Sequence, residues 1–273
     1  MSTNILTAAG VNGAGASGNV SGAISDIGVM TRRGLLLMAR SPMTVSTSAF
    51  MPIILMLLLS ISFGKMIMPT ASLAEYIQYA APVFVTMGVI FGSLGTAVAA
   101  HQDRVSGFDD RLRTLPISPV APLAGRIIAD VVRNFATGVL VTLVALALGF
   151  RFQNGWGGVV VYIVIPLVVG FGVAWFMVAV AMLSSSAEAA VGALNAVLLL
   201  LTFFSTGLLR RTDLPGWAQP IAQANPVSHI AGAMRDATTA GADAVGAHAL
   251  ISVLWAVGLT IVFGVVAVRA YRR

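Results

Sequence analysis

Charge is scarce in this chain: Asp, Glu, Lys and Arg make up 10% of it. Yet seven of those residues fall in one stretch, His101 to Arg126, which reads H-Q-D-R-V-S-G-F-D-D-R-L-R-T-L-P-I-S-P-V-A-P-L-A-G-R. Long apolar runs flank it on both sides. Such a concentration suits recognition of a soluble partner, although an ordinary solvated loop fits the same pattern. Within it, Phe108, Leu112 and Leu115 are spaced i, i+4, i+7, which places them on one face of a short helix. Asp109, Asp110, Arg111 and Arg113 take the remaining surface. Pro116 and Pro119 end that helix, since proline lacks an N–H and restricts the residue before it.

The other polar residues offer little covalent chemistry. Lys65 is the chain's one lysine and follows Gly64, but Leu59 and Met66 stand where a phosphate-binding G-x-x-x-x-G-K-[ST] loop needs Gly and Ser or Thr. His101, His229 and His248 show no metal-ligand spacing, and with no cysteine, disulfides and thiolate catalysis are excluded. Ser205 with His229 or His248 would suit an intramembrane serine protease, but no glycine-framed nucleophile motif surrounds it; a backbone-bonded serine explains it equally. Asp130 and Arg133, at i, i+3, are either a functional charge pair at a membrane boundary or two residues that neutralise each other. Asn195 is a lone polar residue in an apolar run. Gly88, Gly92 and Thr96 recur every four residues, with Gly95 nearby, and let helices approach closely.

The elements that position these residues are membrane helices. The chain has 273 residues, is 58% hydrophobic, and has a mean hydropathy of +0.92, which places it among integral membrane proteins. Residues 1–25 carry no ionisable side chain and are rich in Gly, Ala, Ser and Asn, so a disordered extension is expected there. It is not a signal peptide, because a basic segment followed by an apolar core is missing. Asp26 to Arg40 reads as an amphipathic helix in the interface, with Ile27, Met30, Gly34, Leu37 and Met38 sharing a face.

Six runs are long enough to span about 30 Å of hydrocarbon: Val45–Gly64, Ala80–Ala100, Ile127–Phe150, Gly158–Leu183, Ala190–Leu209 and Ala249–Val268. Pro52, Pro82 and Pro166 are expected to kink them. With both termini in the cytoplasm, the loops on that side hold ten arginines: Arg32, Arg33, Arg40, Arg104, Arg111, Arg113, Arg126, Arg269, Arg272 and Arg273. The opposite side holds five basic residues: Lys65, Arg151, Arg210, Arg211 and Arg235. That excess favours a cytoplasmic N- and C-terminus in the cell membrane, and the net charge of +6 orients the chain rather than binding nucleic acid. Arg210 to His248 is too polar to span. Asn225-Pro226 is a good helix start, and Val227, Ile230 and Met234 form an apolar stripe behind it.

Two stretches resemble a known family. Gly107 to Asp130 (G-F-D-D-R-L-R-T-L-P-I-S-P-V-A-P-L-A-G-R-I-I-A-D) resembles the cytoplasmic loop of ABC-2 type permeases. Phe203 to Arg235 (F-F-S-T-G-L-L-R-R-T-D-L-P-G-W-A-Q-P-I-A-Q-A-N-P-V-S-H-I-A-G-A-M-R) resembles that family's daunorubicin-resistance branch. The resemblance implies an all-α permease domain over 26–273, with six transmembrane helices, an N-terminal elbow helix, a cytoplasmic coupling helix at about 107–115 and short external re-entrant helices at about 215–239. It implies an exporter subunit for hydrophobic or amphipathic drugs, or for envelope glycolipids, with an intramembrane enzyme as a remote alternative. ATP and magnesium would be held by two copies of a separate nucleotide-binding subunit, and no cofactor by this chain. A second permease chain, identical or sister, would complete the pathway. Phe108, Asp109, Arg111, Leu112, Arg113 and Leu115 would contact the ATPase; Asn195, Phe203, Ser205 and Thr96 would line the pathway; and Asp130 with Arg133 would form a charge pair at its cytoplasmic gate.

Overall fold

The computed structural model describes residues 20–40, 42–115, 117–118, 120–243 and 246–272. The expected extension therefore lies outside the described residues up to position 19, as do Pro116 and Pro119. All regular structure among the described residues is helical. Helices α1 (Val20–Ala39), α2 (Pro42–Ile67), α3 (Leu73–Gly92) and α4 (Leu94–Val105) are followed by a short α5 (Phe108–Arg113). Then come α6 (Ala121–Ala147), α7 (Gly155–Leu183) and α8 (Ala187–Phe203). A 3-10 turn (Arg211–Asp213) precedes α9 (Gln219–Ala224), α10 (Pro226–Thr238) and α11 (Ala247–Arg272). α1 begins at Val20, ahead of the expected start at Asp26.

Five segments are long and apolar enough to cross a membrane: Ser48–Ile67, Leu73–Val105, Ala121–Ala147, Gly155–Leu183 and Ala247–Tyr271. The chain is a multi-pass membrane protein. The remaining predicted span is shorter than expected. α8 has 17 residues, about 26 Å at the helical rise of 1.5 Å per residue, and it stops at Phe203 rather than Leu209. The Asn225 side-chain amide donates to the Leu201 carbonyl at 2.6 Å and the Phe204 carbonyl at 2.9 Å. Those are acceptors that a continued helix would need for its own next turn.

Local chemistry sets the other ends. Ser72 and Glu75 form a reciprocal capping box at the start of α3, with Ser72 N–H donating to Glu75 Oε2 at 2.6 Å. Ser186 caps α8 by accepting from Ala189 N–H. Asn225 caps α10 with Pro226 in its first turn, as the sequence suggested. Gly149, at φ +110°, closes α6 in a left-handed turn in which Phe150 N–H returns to the Ala145 carbonyl at 3.0 Å. Pro52, Pro82 and Pro166 lie inside continuous helices; the interruption of the second span falls at Ser93 instead.

α7 is the central helix and is apolar all round. It packs on α11, α10, α4 and α6. In their most apolar 18-residue stretches, 72% of the α3–α4 residues are buried, against 22% for α2 and 17% for α11, so those two peripheral helices turn most of their apolar surface outward. Close approach, not side-chain bulk, brings α3 to α6: a Cβ at Gly88 would meet Thr137 Cγ2 at 3.1 Å, and one at Gly92 would meet Asn134 Oδ1 at 2.7 Å. α1 crosses α6 the same way. A Cβ at Gly34 would lie 2.7 Å from Ala129 Cβ, and one at Gly125 would lie 2.9 Å from Thr31 N.

Candidate functional site

Polar side chains gather at two ends of the bundle. The first gathering surrounds the break between α3 and α4. Gly92-Ser93 is a Gly/Ser pair, a common cause of helix interruption, and breaking there frees the Gly92 carbonyl. Arg133 of α6 takes that carbonyl at 2.5 Å, reaches Thr96 Oγ1 at 3.4 Å and pairs with Asp130. Asn134 donates to Ser93 Oγ at 2.9 Å and to Asp130 Oδ2 at 3.3 Å. Asp130, Asn134 and Thr96 are buried. Asp130 and Arg133 are paired, and the arginine of that pair also holds two helices together. Removing the Asp130 carboxylate would strand a mostly buried guanidinium, which is far costlier than removing both partners.

Nearer the chain's surface, Asp103 at the end of α4 joins three helices. It pairs with Arg126 of α6 and lies 3.8 Å from Arg33 of α1. The Arg33 guanidinium stacks over the Phe108 ring at 4.1 Å, a cation–π contact that ties α1 to α5. Asp26 accepts from Ser118 N–H at 3.2 Å. Arg104 donates to the Met182 carbonyl at 2.5 Å, at the far end of α7. Between α1, α4 and α6, under Phe108, lies a cleft of about 610 Å³.

α5 differs from its expected form. It follows Gly107, held at φ +71°, and runs from Phe108 to Arg113, so Leu115 lies beyond the helix in a turn, with its N–H on the Leu112 carbonyl at 3.1 Å. Leu112 is buried, Phe108 is half-buried under Arg33, and Asp109 is 2% exposed. The apolar face thus packs on its own chain, because two turns are too short to stand on the surface without it. Arg111 and Leu115 are exposed. The Arg113 side chain is outside the described residues.

The second gathering lies at the other end, around α10. Arg235 donates to three backbone carbonyls: Tyr79 at 2.8 Å, Thr206 at 2.9 Å and Gly207 at 2.7 Å. Its guanidinium also stacks on the Tyr79 ring at 3.8 Å. Tyr79 Oη donates toward the Thr206 and Leu209 carbonyls, and Thr206 N–H donates to Ser228 Oγ at 2.9 Å. Together with Asn225 these contacts hold the loop after α8. Ser205 is buried and spends its hydroxyl on the Thr202 carbonyl and Gly207 N–H. His229 and His248 face one another instead, Nδ1 to Nδ1 at 3.2 Å. Burial, and then the neighbouring His248, hold His229 below the usual imidazole range. No group of three His, Asp or Glu side chains able to hold a metal occurs among the described residues.

The residues expected to line a pathway lie on α4, on α8 and just after α8, and α4 packs on α8. Thr96 belongs to the Arg133 network. Asn195 is half-buried on α8, and Phe203, at the end of α8, is 58% exposed. Tyr79, Ser228 and Arg235 were not singled out from the sequence as a unit. The available signal was the density of hydrogen-bonding residues in N-P-V-S-H-I-A-G-A-M-R.

Residues 25–238 match the family described as ABC-2 type transporter. The daunorubicin resistance ABC transporter permease protein DrrB1 of Streptomyces coeruleorubidus is 33% identical over 242 residues, 88% of this chain and 83% of that protein. The probable doxorubicin resistance ABC transporter permease protein DrrC of Mycobacterium tuberculosis is 29% identical over 245 residues, 90% of this chain and 87% of that protein. A doxorubicin resistance permease protein of the same organism, DrrB, is 27% identical over 159 residues, 58% of this chain and 55% of that protein.

Proposed function

We propose that this chain, which belongs to the ABC-2 type transporter family and is similar to its drug-resistance permeases, exports hydrophobic or amphipathic compounds with ATP hydrolysed by a separate nucleotide-binding subunit. Drugs such as those named for its relatives are the first substrate class. Envelope glycolipids are the second. Two ATPase subunits would bind ATP and magnesium, and a second permease, identical or sister, would face this one across the pathway. In this reading α8 is the short fifth of six spans, α1 is the elbow helix, α5 is the coupling helix, and α9 and α10 dip into the external leaflet. Both termini are cytoplasmic.

The observation that carries the reading is the linkage of α5. Its Phe108 sits under Arg33 of α1, and Asp103, just before it, engages Arg33 and Arg126. A push on α5 therefore meets α1, α4 and α6 together. Closure of the ATPase pair can shift the membrane helices only through contacts that differ in energy between two states, and this cluster of contacts between different helices is the place for that difference.

The reading is tested by co-expression with the nucleotide-binding subunit: the two should co-purify, and substrate should stimulate ATP hydrolysis in vesicles. Failure to associate would leave a transporter-like fold without its motor and sink the proposal. The chain has no cysteine, so orientation can be checked cleanly. Ser106→Cys should be protected from an impermeant external reagent, and Gln223→Cys should react.

A further inference from the structure

We propose that the cleft between α1, α4 and α6 is a binding site for an anionic amphiphile of the membrane, a phospholipid whose acidic phosphate head meets Arg126 and Arg133 while its chain lies along Met30, Leu37 and Met38. The cleft of about 610 Å³ falls within the size of small-molecule sites. Its walls are divided. α1 supplies Met30, Leu37 and Met38, and α5 supplies Phe108. The opposite wall, α4 and α6, carries Asp103, Arg126, Asp130 and Arg133, and Arg33 of α1 stands at the mouth.

Those charges do not balance. The lining holds three arginines, Arg33, Arg126 and Arg133, against two carboxylates, Asp103 and Asp130, which leaves one cation over. Both carboxylates are already engaged, Asp103 by Arg33 and Arg126 and Asp130 by Arg133 and Asn134. Two donors remain unmet: Arg126 Nη1 and Arg133 Nε are buried with no hydrogen-bond partner. Buried donors are nearly always satisfied, and a buried guanidinium N–H without an acceptor calls for one. Neither atom is reached by water in the present arrangement, so each guanidinium must turn toward the cleft that its residue lines. An anion with several acceptor oxygens rewards that turn.

The position selects the source of the anion. α1 exposes Leu36 and Leu37, about half of each side chain, on the same helix that carries the arginine at the mouth of the cleft. A helix of that kind lies in the interface between head groups and acyl chains, where a phospholipid enters sideways without leaving the bilayer. Free phosphate would gain nothing from Met30, Leu37 and Met38. This inference goes beyond the transport reading: it requires the membrane, but neither ATP nor a cargo.

The test is photolabelling of the full chain, reconstituted without any ATP-binding subunit, by diazirine-tailed phosphatidylglycerol or phosphatidylcholine, with the labelled peptides mapped by mass spectrometry. The phosphatidylglycerol probe should label the Met30–Met38 peptide about fivefold more than the phosphatidylcholine probe, the effect of one arginine at an anionic membrane surface. Arg126→Gln should remove most of that preference. Arg33→Gln, at the half-exposed mouth, should reduce it in a protein whose buried pairs are intact, so a folding defect in the first variant does not end the test. Inorganic phosphate at high concentration should not compete. Equal labelling by the two lipids, a preference unchanged in both variants, or loss of labelling to inorganic phosphate alone would each overturn the proposal. Because the assay contains no motor subunit, its failure is distinct from failure of the transport reading.

Discussion

Arg235 and Arg133 are both arginines placed among helices of a membrane protein, and they are used in opposite ways. Arg235 spends its donors on three main-chain carbonyls and lays its plane on Tyr79. Backbone acceptors from α3 and from the loop after α8 allow one arrangement only. Arg133 instead holds one carbonyl, one hydroxyl and one carboxylate, and it keeps an unmet N–H. It sits beside Asp103, Arg126 and Arg33, each from a different helix, around an open cleft. Side-chain pairs between helices can exchange partners at modest cost, whereas main-chain carbonyls cannot be exchanged without unfolding the turn that carries them. The α10 end is therefore the fixed end of the molecule and the α5 end the adjustable one, which suits a machine driven from the α5 side.

Breaking the fixed end should have the largest effect. Arg235→Ala takes a donor from three carbonyls; Thr206 keeps Tyr79 Oη, and each carbonyl left buried and unpaired costs about 1–3 kcal/mol, so the folded protein seen on size exclusion after solubilisation should fall sharply. Arg235→Lys keeps the charge but cannot fork between Tyr79, Thr206 and Gly207, so an intermediate loss is expected. A fully stable Arg235→Ala protein would end the comparison.

Asp130→Ala comes next. It leaves Arg133 mostly buried beside its own orphaned N–H and should cost about 3–5 kcal/mol in thermal or denaturant unfolding. Adding Arg133→Leu should restore most of that loss. A double variant as unstable as the single would mean that Arg133 matters for its grip on Gly92, which would make the α5 end as fixed as the other.

The smallest effect is predicted at His229. A neutral pair shares one proton between the two Nδ1 atoms; a doubly protonated pair repels. Because the folded protein holds His229 below the usual imidazole range, its contribution is complete above that range and is lost as the pH falls through the lowered value. Unfolding midpoints should therefore drop at mildly acidic pH by the worth of about one hydrogen bond, on the order of 1 kcal/mol. The double variant His229→Gln, His248→Gln should flatten that profile.

The sequence displayed the difference between the ends unevenly. The apolar runs located the membrane helices, because hydropathy over some twenty residues reports burial in lipid directly. Asp130 and Arg133 were legible as a pair, since both lie on one face of one helix. The knot around Arg235 was not, because it joins residue 79 to residues 206 and 235, and no local pattern encodes such a meeting. The same limit explains α8: nothing within Ala190–Leu209 announces a stop at Phe203, which is imposed by an asparagine two dozen positions later. The direction of the α5 face was ambiguous for a simpler reason. Spacing shows that Phe108 and Leu112 share a face; it does not say whether a partner or the chain itself covers it.

That last point refines how α5 should work, and it supplies the decisive measurement. On the proposed function, the exposed Arg111 and Leu115 would hold the ATP-binding subunit, and Phe108 under Arg33 would pass its movement on. Co-purification and substrate-stimulated ATP hydrolysis should be measured together in the assembled complex for Arg111→Glu with Leu115→Ala, and separately for Phe108→Ala. The first variant should lose association. The second should associate normally yet lose most of the stimulation, since α5 can then move without carrying α1. Phe108→Ala with full stimulation, in a complex that still assembles, would contradict the claim that this end of the molecule transmits the power stroke.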